Sequence, residues 1–288
     1  MKRVRKAVFP VAGFGTRFLP ATKAVPKEML PIVDRPLIQY AVDEARAAGI
    51  EQMIFVTGRN KSAIEDYFDE AYEIERDLVD KGKRETLALL DGTRLPAGSA
   101  VFVRQQQMLG LGHAVACARN IIGDEPFAVL LPDELLWNPK APCLAQMMET
   151  YEARGGNVIS VLEVPANQTH KYGIVDPGAV DGLVTEVKSL VEKPAAGTAP
   201  SRLAVIGRYI LQPEIFELLA RGERGAGGEI QLTDGMAKLI GAQSFCAQTF
   251  TGDRHDCGDK AGFIQANLAL ALERPDISDS IRAFMKTL

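Results

Sequence analysis

The sequence predicts an α/β fold with a mostly parallel central sheet flanked by helices, and three observations point there. Apolar runs of strand length alternate with segments of helical apolar spacing over the first 164 residues, the rhythm of strands joined by right-handed crossovers. Glycines stand where helices should stop, at Gly49 and at Gly155-Gly156. Three polar, chemistry-bearing segments each follow directly on a strand-like run, as ligand-binding loops do at the carboxyl edge of such a sheet.

Taken in order, 4–11 reads as a buried strand, 36–48 as a helix, 53–57 as a second strand and 60–84 as a charged, solvated helical excursion. A third strand at 100–103 and a helix at 114–120 follow. A fourth strand at 127–131 ends at Pro132-Asp133, a helix spans 141–154, and 157–164 returns to strand. After about Pro165 the rhythm changes. Short strand-like runs come at 173–175, 183–191, 203–211 and 244–249, with helices at 213–220, 229–240 and 260–272. Residues 195–201 are a loop of small residues rather than a linker between domains.

The chain of 288 residues is 47% hydrophobic and 24% charged, an ordinary composition for a protein with a sizeable core. Its net charge of −4 argues against general nucleic-acid binding. The charge is uneven: residues 1–40 hold eight Lys/Arg against Glu28 and Asp34. No apolar stretch approaches the length of a membrane span, so no membrane partner is expected. Cys117, Cys143, Cys246 and Cys257 lack metal-site spacing and are expected as free thiols in a reducing, cytoplasmic setting.

The opening segment carries most of the chemistry. Strand 4–11 feeds Ala12-Gly13-Phe14-Gly15-Thr16-Arg17, and Pro26-Lys27-Glu28-Met29-Leu30-Pro31 follows. Gly13 and Gly15 allow backbone N–H groups to approach phosphate oxygens, and Arg17 and Lys27 add charge. A dinucleotide fingerprint is excluded because Phe18 stands at the third glycine position. A Walker A loop needs Gly-Lys-Ser/Thr, which the chain lacks. The kinase signatures are missing as well.

Gln105, ahead of Leu109-Gly110-Leu111-Gly112-His113, suits the edge of a nucleobase because a carboxamide both donates and accepts; a polar turn before a helix is the alternative. Asp133 suits Mg²⁺ held jointly with phosphate oxygens, or else a helix cap. Asp256 is a second candidate ligand, with capping again the competitor and Asp253 and Asp259 crowding it. Glu192-Lys193 offers a carboxylate for paired hydroxyls and a cation for a phosphate, as a sugar phosphate requires, unless it is a surface ion pair. The three histidines show no metal spacing and no Gly-X-Ser-X-Gly elbow occurs, so charge neutralisation and positioning fit better than covalent catalysis.

With these segments assembled, the chain resembles the bacterial UTP–glucose-1-phosphate uridylyltransferases (UDP-glucose pyrophosphorylases), members of the sugar nucleotidyltransferases. The resemblance runs from Val4 to about Leu272. It rests on 10–31, on Leu-Gly-Leu-Gly-His-Ala-Val at 109–115, on Leu131-Pro132-Asp133, Tyr172-Gly173-Ile174-Val175, Val191-Glu192-Lys193-Pro194 and Ile206-Gly207-Arg208-Tyr209, on 228–234 and on 256–260. It implies a Rossmann-like nucleotidyltransferase fold in a single domain, with 1–165 mainly for the nucleotide, 166–272 mainly for the sugar phosphate and a tail at 273–288. It implies UTP and glucose 1-phosphate as substrates, UDP-glucose and pyrophosphate as products, Mg²⁺ as cofactor and a homodimer or homotetramer. Ala12, Gly13 and Gly15 would then meet the nucleotide through backbone, and Glu28, Gln105 and Gly110 would frame the uracil. Arg17 and Lys27 would hold the triphosphate and leaving pyrophosphate. Asp133 and Asp256 would hold the metal, Gly173 and Glu192 the glucose hydroxyls, and Lys193 the phosphates at the join. Lys23 and Arg208 belong to the motifs without an assigned role. A thymidylyltransferase and a non-catalytic regulatory paralogue are the alternatives.

Overall fold

In the computed structural model, which describes all 288 residues, the amino-terminal apolar run forms β1 (Lys6–Pro10). Val8 faces one side of the sheet and Ala7 and Phe9 the other, and all three are fully buried. A two-residue hairpin, β2 (Pro31–Ile32) and β3 (Arg35–Pro36), leads into α1 (Leu37–Ala47). Then come β4 (Gln52–Thr57), three helices α2 (Ser62–Phe68), α3 (Tyr72–Asp80) and α4 (Arg84–Thr93), and β5 (Ala100–Arg104). The helix expected at 114–120 is two short ones, α5 (Leu111–Ala116) and α6 (Arg119–Ile122). After β6 (Phe127–Leu130) the chain forms β7 (Glu134–Trp137), α7 (Cys143–Arg154) and β8 (Asn157–Glu163). The second half adds β9 (Gly173–Asp181), β10 (Val184–Glu192), β11 (Leu203–Leu211), α8 (Ile215–Leu219), α9 (Leu232–Leu239), β12 (Phe245–Thr249), β13 (Asp253–Asp256), α10 (Lys260–Glu273) and α11 (Ser278–Met285).

Nine strands make one mixed sheet in the order β5-β4-β1-β6-β11-β8-β12-β10-β9. The β5-β4-β1-β6 half is parallel throughout. Only β10 and β11 run against the rest. Strict alternation sends Val8, Ile54, Val56, Phe127 and Val129 to one face, where α5, α8 and α9 cover them. Phe9, Met53, Phe55, Ala128 and Leu130 pack on the other face under α1, α2 and α7. The two cores hold 26 and 25 buried residues, so the sheet is covered equally on both sides, as parallel strands require. No helix is long and apolar enough to cross a membrane.

Two features steer distant segments toward the carboxyl edge of β1, β5 and β6. First, the β9–β10 hairpin has register shifts between Thr185 and Val187 and between Val187 and Ser189. Such bulges bend a strand. The bent hairpin returns its open end to β11, where Ile174 pairs with Ala204. Because Arg208 lies opposite Leu130, Ala204 lies beyond the end of β6. Second, β7 and β13 form a separate antiparallel ribbon that sets Asp256 opposite Glu134. α10 packs on that ribbon through Ala266 and Leu270, against Leu135 and Cys257.

The structure corrects one expectation and adds two details. The segment at 229–231 is extended, and the helix begins only at Leu232. Asp256 ends a ribbon strand rather than a strand of the main sheet. The tail contains a helix, α11, with no buried residue. All four cysteines are free, as expected.

Arg208, without a role in the sequence reading, is 1% exposed on β11. Its Nε and Nη2 donate to both carboxylate oxygens of Glu44 on α1, at 2.9–3.1 Å. Nη1 donates to the Leu131 carbonyl at 2.9 Å and Nη2 also to the Glu134 carbonyl at 3.0 Å. Glu44 Oε1 accepts a further bond from Leu144 N at 2.9 Å, in the first turn of α7. Removing one partner of such a pair strands the other charge in the interior, at a cost of about 3–5 kcal/mol. Arg208→Met should therefore lower the unfolding free energy by roughly that amount in urea titrations, and Glu44→Leu/Arg208→Met should recover much of it. A loss below about 1 kcal/mol for the single variant would contradict this reading.

Candidate active site

The segment after β1 leaves its backbone donors free. Val11 N still donates to Val56 O at 2.9 Å, continuing the β1–β4 ladder. From Ala12 through Arg17 no N–H donates to another protein group, and the first closing bond is Phe18 N to Gly15 O at 3.0 Å. Unpaired N–H groups in succession form an anion cradle. Three single helical turns, Thr16–Phe18, Ala21–Lys23 and Lys27–Met29, carry the chain away from it. Gly15 has φ 65°, and a β-carbon there would lie 3.1 Å from both Lys27 Cβ and Thr22 Cγ2. At Gly13 only Lys27 Cε comes near, at 3.9 Å, so that side of the loop is open.

Gln105 follows β5 and is buried, its N–H bonded to Thr57 O at 2.8 Å. Its Nε2 donates to Gly110 O at 3.1 Å and lies 3.0 Å from His113 Nδ1. Gly110 has φ 109°, and a β-carbon there would meet Glu229 Cβ at 2.7 Å and Ile230 O at 2.8 Å. The contact is tight because the 109–112 loop is laced to the extended 229–231 segment. Ile230 N donates to Leu109 O at 2.7 Å, and Gly112 N to Ile230 O at 2.8 Å. The result is a cleft of about 360 Å³ lined by Ala12, Gly13, Lys27, Glu28, Gln105, Gly110 and Asp133, with Met108, Leu111 and Glu229 among the others. Seven of the candidate residues thus share one cavity. Glu28 is 1% exposed, and its Oε2 accepts from Lys61 Nζ at 2.7 Å. Burial raises the Glu28 pKa, while Lys61 and Lys27 oppose the rise.

At the far end of the cleft Lys27 Nζ meets Asp133 Oδ2 at 2.6 Å. Burial works against the charge on both groups, yet each is held ionised by the other: Asp133 titrates below and Lys27 above its ordinary range. Gly258 marks a junction. A methyl group there would lie 2.9 Å from Asp256 Oδ1, 3.4 Å from Asp133 Oδ2 and 3.4 Å from Arg17 Nη1. Arg17 Nη1 donates to Gly258 O at 3.2 Å, and Gly258 N to Asp256 Oδ1 at 2.9 Å. Both capping alternatives fall away. Asp133 is followed by β7, not a helix, and α10 is capped by Asp259, whose Oδ1 accepts from Gly262 N at 2.9 Å. No cluster of three or more His, Cys, Asp or Glu side chains is set for a metal; Asp133 and Asp256 are the two carboxylates that approach Gly258.

Gly173, Glu192 and Lys193 lie outside that cavity, at the open end of the β9–β10 hairpin. Glu192 pairs with Gly173, and a methyl group on Gly173 would crowd Glu192 Oε2 at 3.1 Å and Thr233 at 3.3 Å. Strand neighbours point to opposite faces, but the strand ends at Glu192 and Lys193 has φ 45°. The two side chains therefore turn toward each other, Nζ to Oε1 3.5 Å, with Lys193 half exposed. Arg254 on β13 ties this region to the carboxylate corner. It forks onto Glu134 at 2.7 and 2.8 Å, lies 3.9 Å from Asp256, donates to Tyr172 Oη at 3.3 Å and stacks 5.0 Å over the Tyr172 ring.

Sequence reasoning missed Lys61, Glu229, Thr233 and Arg254. Glu229 and Thr233 stood in a motif already singled out at 228–234, where their contacts with the 109–112 loop and with Gly173 left no spacing signal. Lys61 and Arg254 sit among ordinary charged residues. Lys23 ends an exposed turn, and nothing in the structure explains it.

The Nucleotidyl transferase family model matches residues 6–273. The chain belongs to the nucleotidyl transferase family. A UTP–glucose-1-phosphate uridylyltransferase of Bacillus subtilis (strain 168) is 52% identical over 290 residues, covering all of this chain and 98% of its own. A solved UTP-bound UGPase from Acinetobacter baumannii is similar with a TM-score of 0.91 and 42% identity, over 99% of this chain and all of its own. A UDP-glucose pyrophosphorylase complexed with UDP-glucose has a TM-score of 0.85 and 44% identity, over 94% of this chain and all of its own. The mixed α/β sheet flanked by helices is thus the sheet of a nucleotidyl transferase.

Lys27 sits between the free N–H row and Asp133, where charge on a leaving phosphate would gather. Lys27→Ala should lower kcat for nucleotidyl transfer by roughly 10²–10³, as loss of one anion-stabilising group does. Near-normal steady-state turnover by the folded variant would contradict the role.

Proposed function

We propose that the protein transfers a uridylyl group from UTP to glucose 1-phosphate, giving UDP-glucose and pyrophosphate. The observation that carries this reading is the unbroken row of free N–H groups from Ala12 to Arg17, on a cleft that also holds Gln105, Gly110, Lys27 and Asp133. A polyphosphate needs such a row, and a base needs the far wall. The names and bound nucleotides of the full-length relatives support the choice of UTP and glucose.

In this reading the nucleotide is handled within residues 1–165 and the sugar phosphate within 166–272. Ala12, Gly13 and Gly15 hold phosphate oxygens by backbone, and Glu28, Gln105 and Gly110 frame the uracil. Gly173 and Glu192 receive glucose hydroxyls, and Lys193 directs the phosphate of glucose 1-phosphate toward the α-phosphorus of UTP. That phosphate is already ionised near neutral pH, so the attack needs no general base. Arg17 and Lys27 stabilise the charge collecting on pyrophosphate. Holding both reactants in line is itself a large part of the acceleration.

Mg²⁺ suits the corner at Gly258, since Asp133 and Asp256 supply two hard oxygen donors and phosphates can complete the set. When bound, it would neutralise phosphate charge and organise the reacting oxygens. Asp133 and Asp256 would be its protein ligands, with Lys27 releasing Asp133 toward it.

The test is pyrophosphate release from UTP and glucose 1-phosphate, run beside dTTP and beside an EDTA-treated reaction. UDP-glucose should form with UTP, more slowly with dTTP, and not after chelation. Faster turnover of dTTP would favour a thymidylyltransferase. No turnover of either nucleotide would leave the non-catalytic reading, which the retention of Arg17, Lys27, Asp133, Glu192 and Lys193 speaks against.

A further inference from the structure

We infer that Lys61 is a specificity-determining residue, which holds Glu28 as a pure hydrogen-bond acceptor so that the cleft selects a pyrimidine carrying an N3–H donor. The inference rests on the reading of the cleft as a uridine nucleotide site. It goes beyond it by naming what separates UTP from CTP.

The geometry is unusual for a carboxylate. Glu28 is 1% and Lys61 6% exposed, and Nζ sits 2.7 Å from Oε2. The other oxygen, Oε1, is buried and has no hydrogen-bond partner in the protein. A buried acceptor without a donor is costly, and such atoms are few in native proteins. This one belongs to a side chain that lines the cleft beside Gln105 and Gly110, where a base would be read. The missing partner is therefore sought in the ligand, and what Oε1 requires is a donor. Uracil presents an N3–H. Cytosine presents a bare N3, which repels a carboxylate oxygen.

The selection holds only while Glu28 carries its charge. Its burial favours the protonated form, and the cations facing it are Lys61 and, through the adjacent turn, Lys27. Lys27 is already committed to Asp133 at 2.6 Å. Lys61 makes the direct contact. Without Lys61 the desolvated carboxyl would take up a proton. An O–H at this position donates to N3 of cytosine as readily as its carbonyl oxygen accepts from uracil. Lys61 touches no substrate in this account. It acts through Glu28.

The test compares kcat/KM for UTP and CTP in wild type, Lys61→Met and Lys61→Arg at saturating glucose 1-phosphate, with the KM for glucose 1-phosphate measured alongside. Lys61→Met should cut the UTP/CTP preference at least tenfold and leave the KM for the sugar phosphate unchanged. Lys61→Arg should restore the preference. A folded Lys61→Met protein with the wild-type UTP/CTP ratio would overturn the inference. So would a change in UTP against dUTP alone, which would place Oε1 on a ribose hydroxyl. Should Lys61→Met fail to fold, Glu28→Gln removes the fixed acceptor and should relax the same ratio; an unchanged ratio there overturns the inference equally. If wild type turns over no nucleotide, the proposed reaction falls, while calorimetric Kd values for UTP and CTP across the same variants still decide the role of Lys61.

Discussion

The site depends on a guanidinium that water scarcely reaches. Arg208 on β11 bonds Glu44 on α1 and the carbonyls of Leu131 and Glu134. Those two carbonyls bracket Asp133. Glu44 in turn accepts from the first turn of α7. A charge so buried is tolerated only if nearly all its donors are satisfied, which leaves the turn after β6 little freedom. Asp133 inherits that rigidity, and Lys27 and the Gly258 junction are then placed against a fixed point. The ribbon of β7 and β13 extends the same corner, since β7 begins at the clamped residue Glu134 and delivers Asp256 opposite it.

Around that corner the fold solves a problem of distance along the chain. The cleft proposed for the nucleotide is walled by the ends of β1 and β5, but Gly173 and Glu192 lie on a hairpin at the far side of the sheet. Register shifts bend the hairpin back to β11, and Arg254 links Tyr172, beside Gly173, to Glu134 and Asp256. Coverage of both sheet faces makes this scaffold stiff. That stiffness suits chemistry that proceeds by holding two anions in line.

Much of this was legible in the sequence, for identifiable reasons. The β1–β6 half announces itself through strand-length apolar runs, and the glycine turn, Gln105 and Asp133 follow strands directly, so topology alone gathers them. Glu192-Lys193 could be read either as a sugar-phosphate site or as a surface ion pair, and the resemblance chose the first and added Gly173. What stayed hidden depends on long-range pairing. Arg208 reads as one more strand cation until Glu44, 164 positions away, is seen against it. Lys61 sits in a charged stretch that looked solvated, yet it is buried on Glu28. The extended run at 229–231 looked helical, because its bonds go to the 109–112 loop rather than to its own neighbours. At Asp256 the helix-cap alternative was removed by Asp259 taking the cap, and metal ligation there belongs to the proposed function.

The central claim is that the chain catalyses transfer by positioning and charge neutralisation, with no protein nucleophile. The thiol nearest the carboxylate corner, Cys257, is pushed up to about 12 by burial and by Glu134, Asp256 and Asp133, so it carries no useful thiolate. The most direct measurement is the configuration at phosphorus when UTP carrying a chiral sulfur substitution on its α-phosphate reacts with glucose 1-phosphate. A single in-line displacement predicts inversion in the UDP-glucose formed. Retention would require two displacements through a covalent uridylyl-enzyme and would contradict the account.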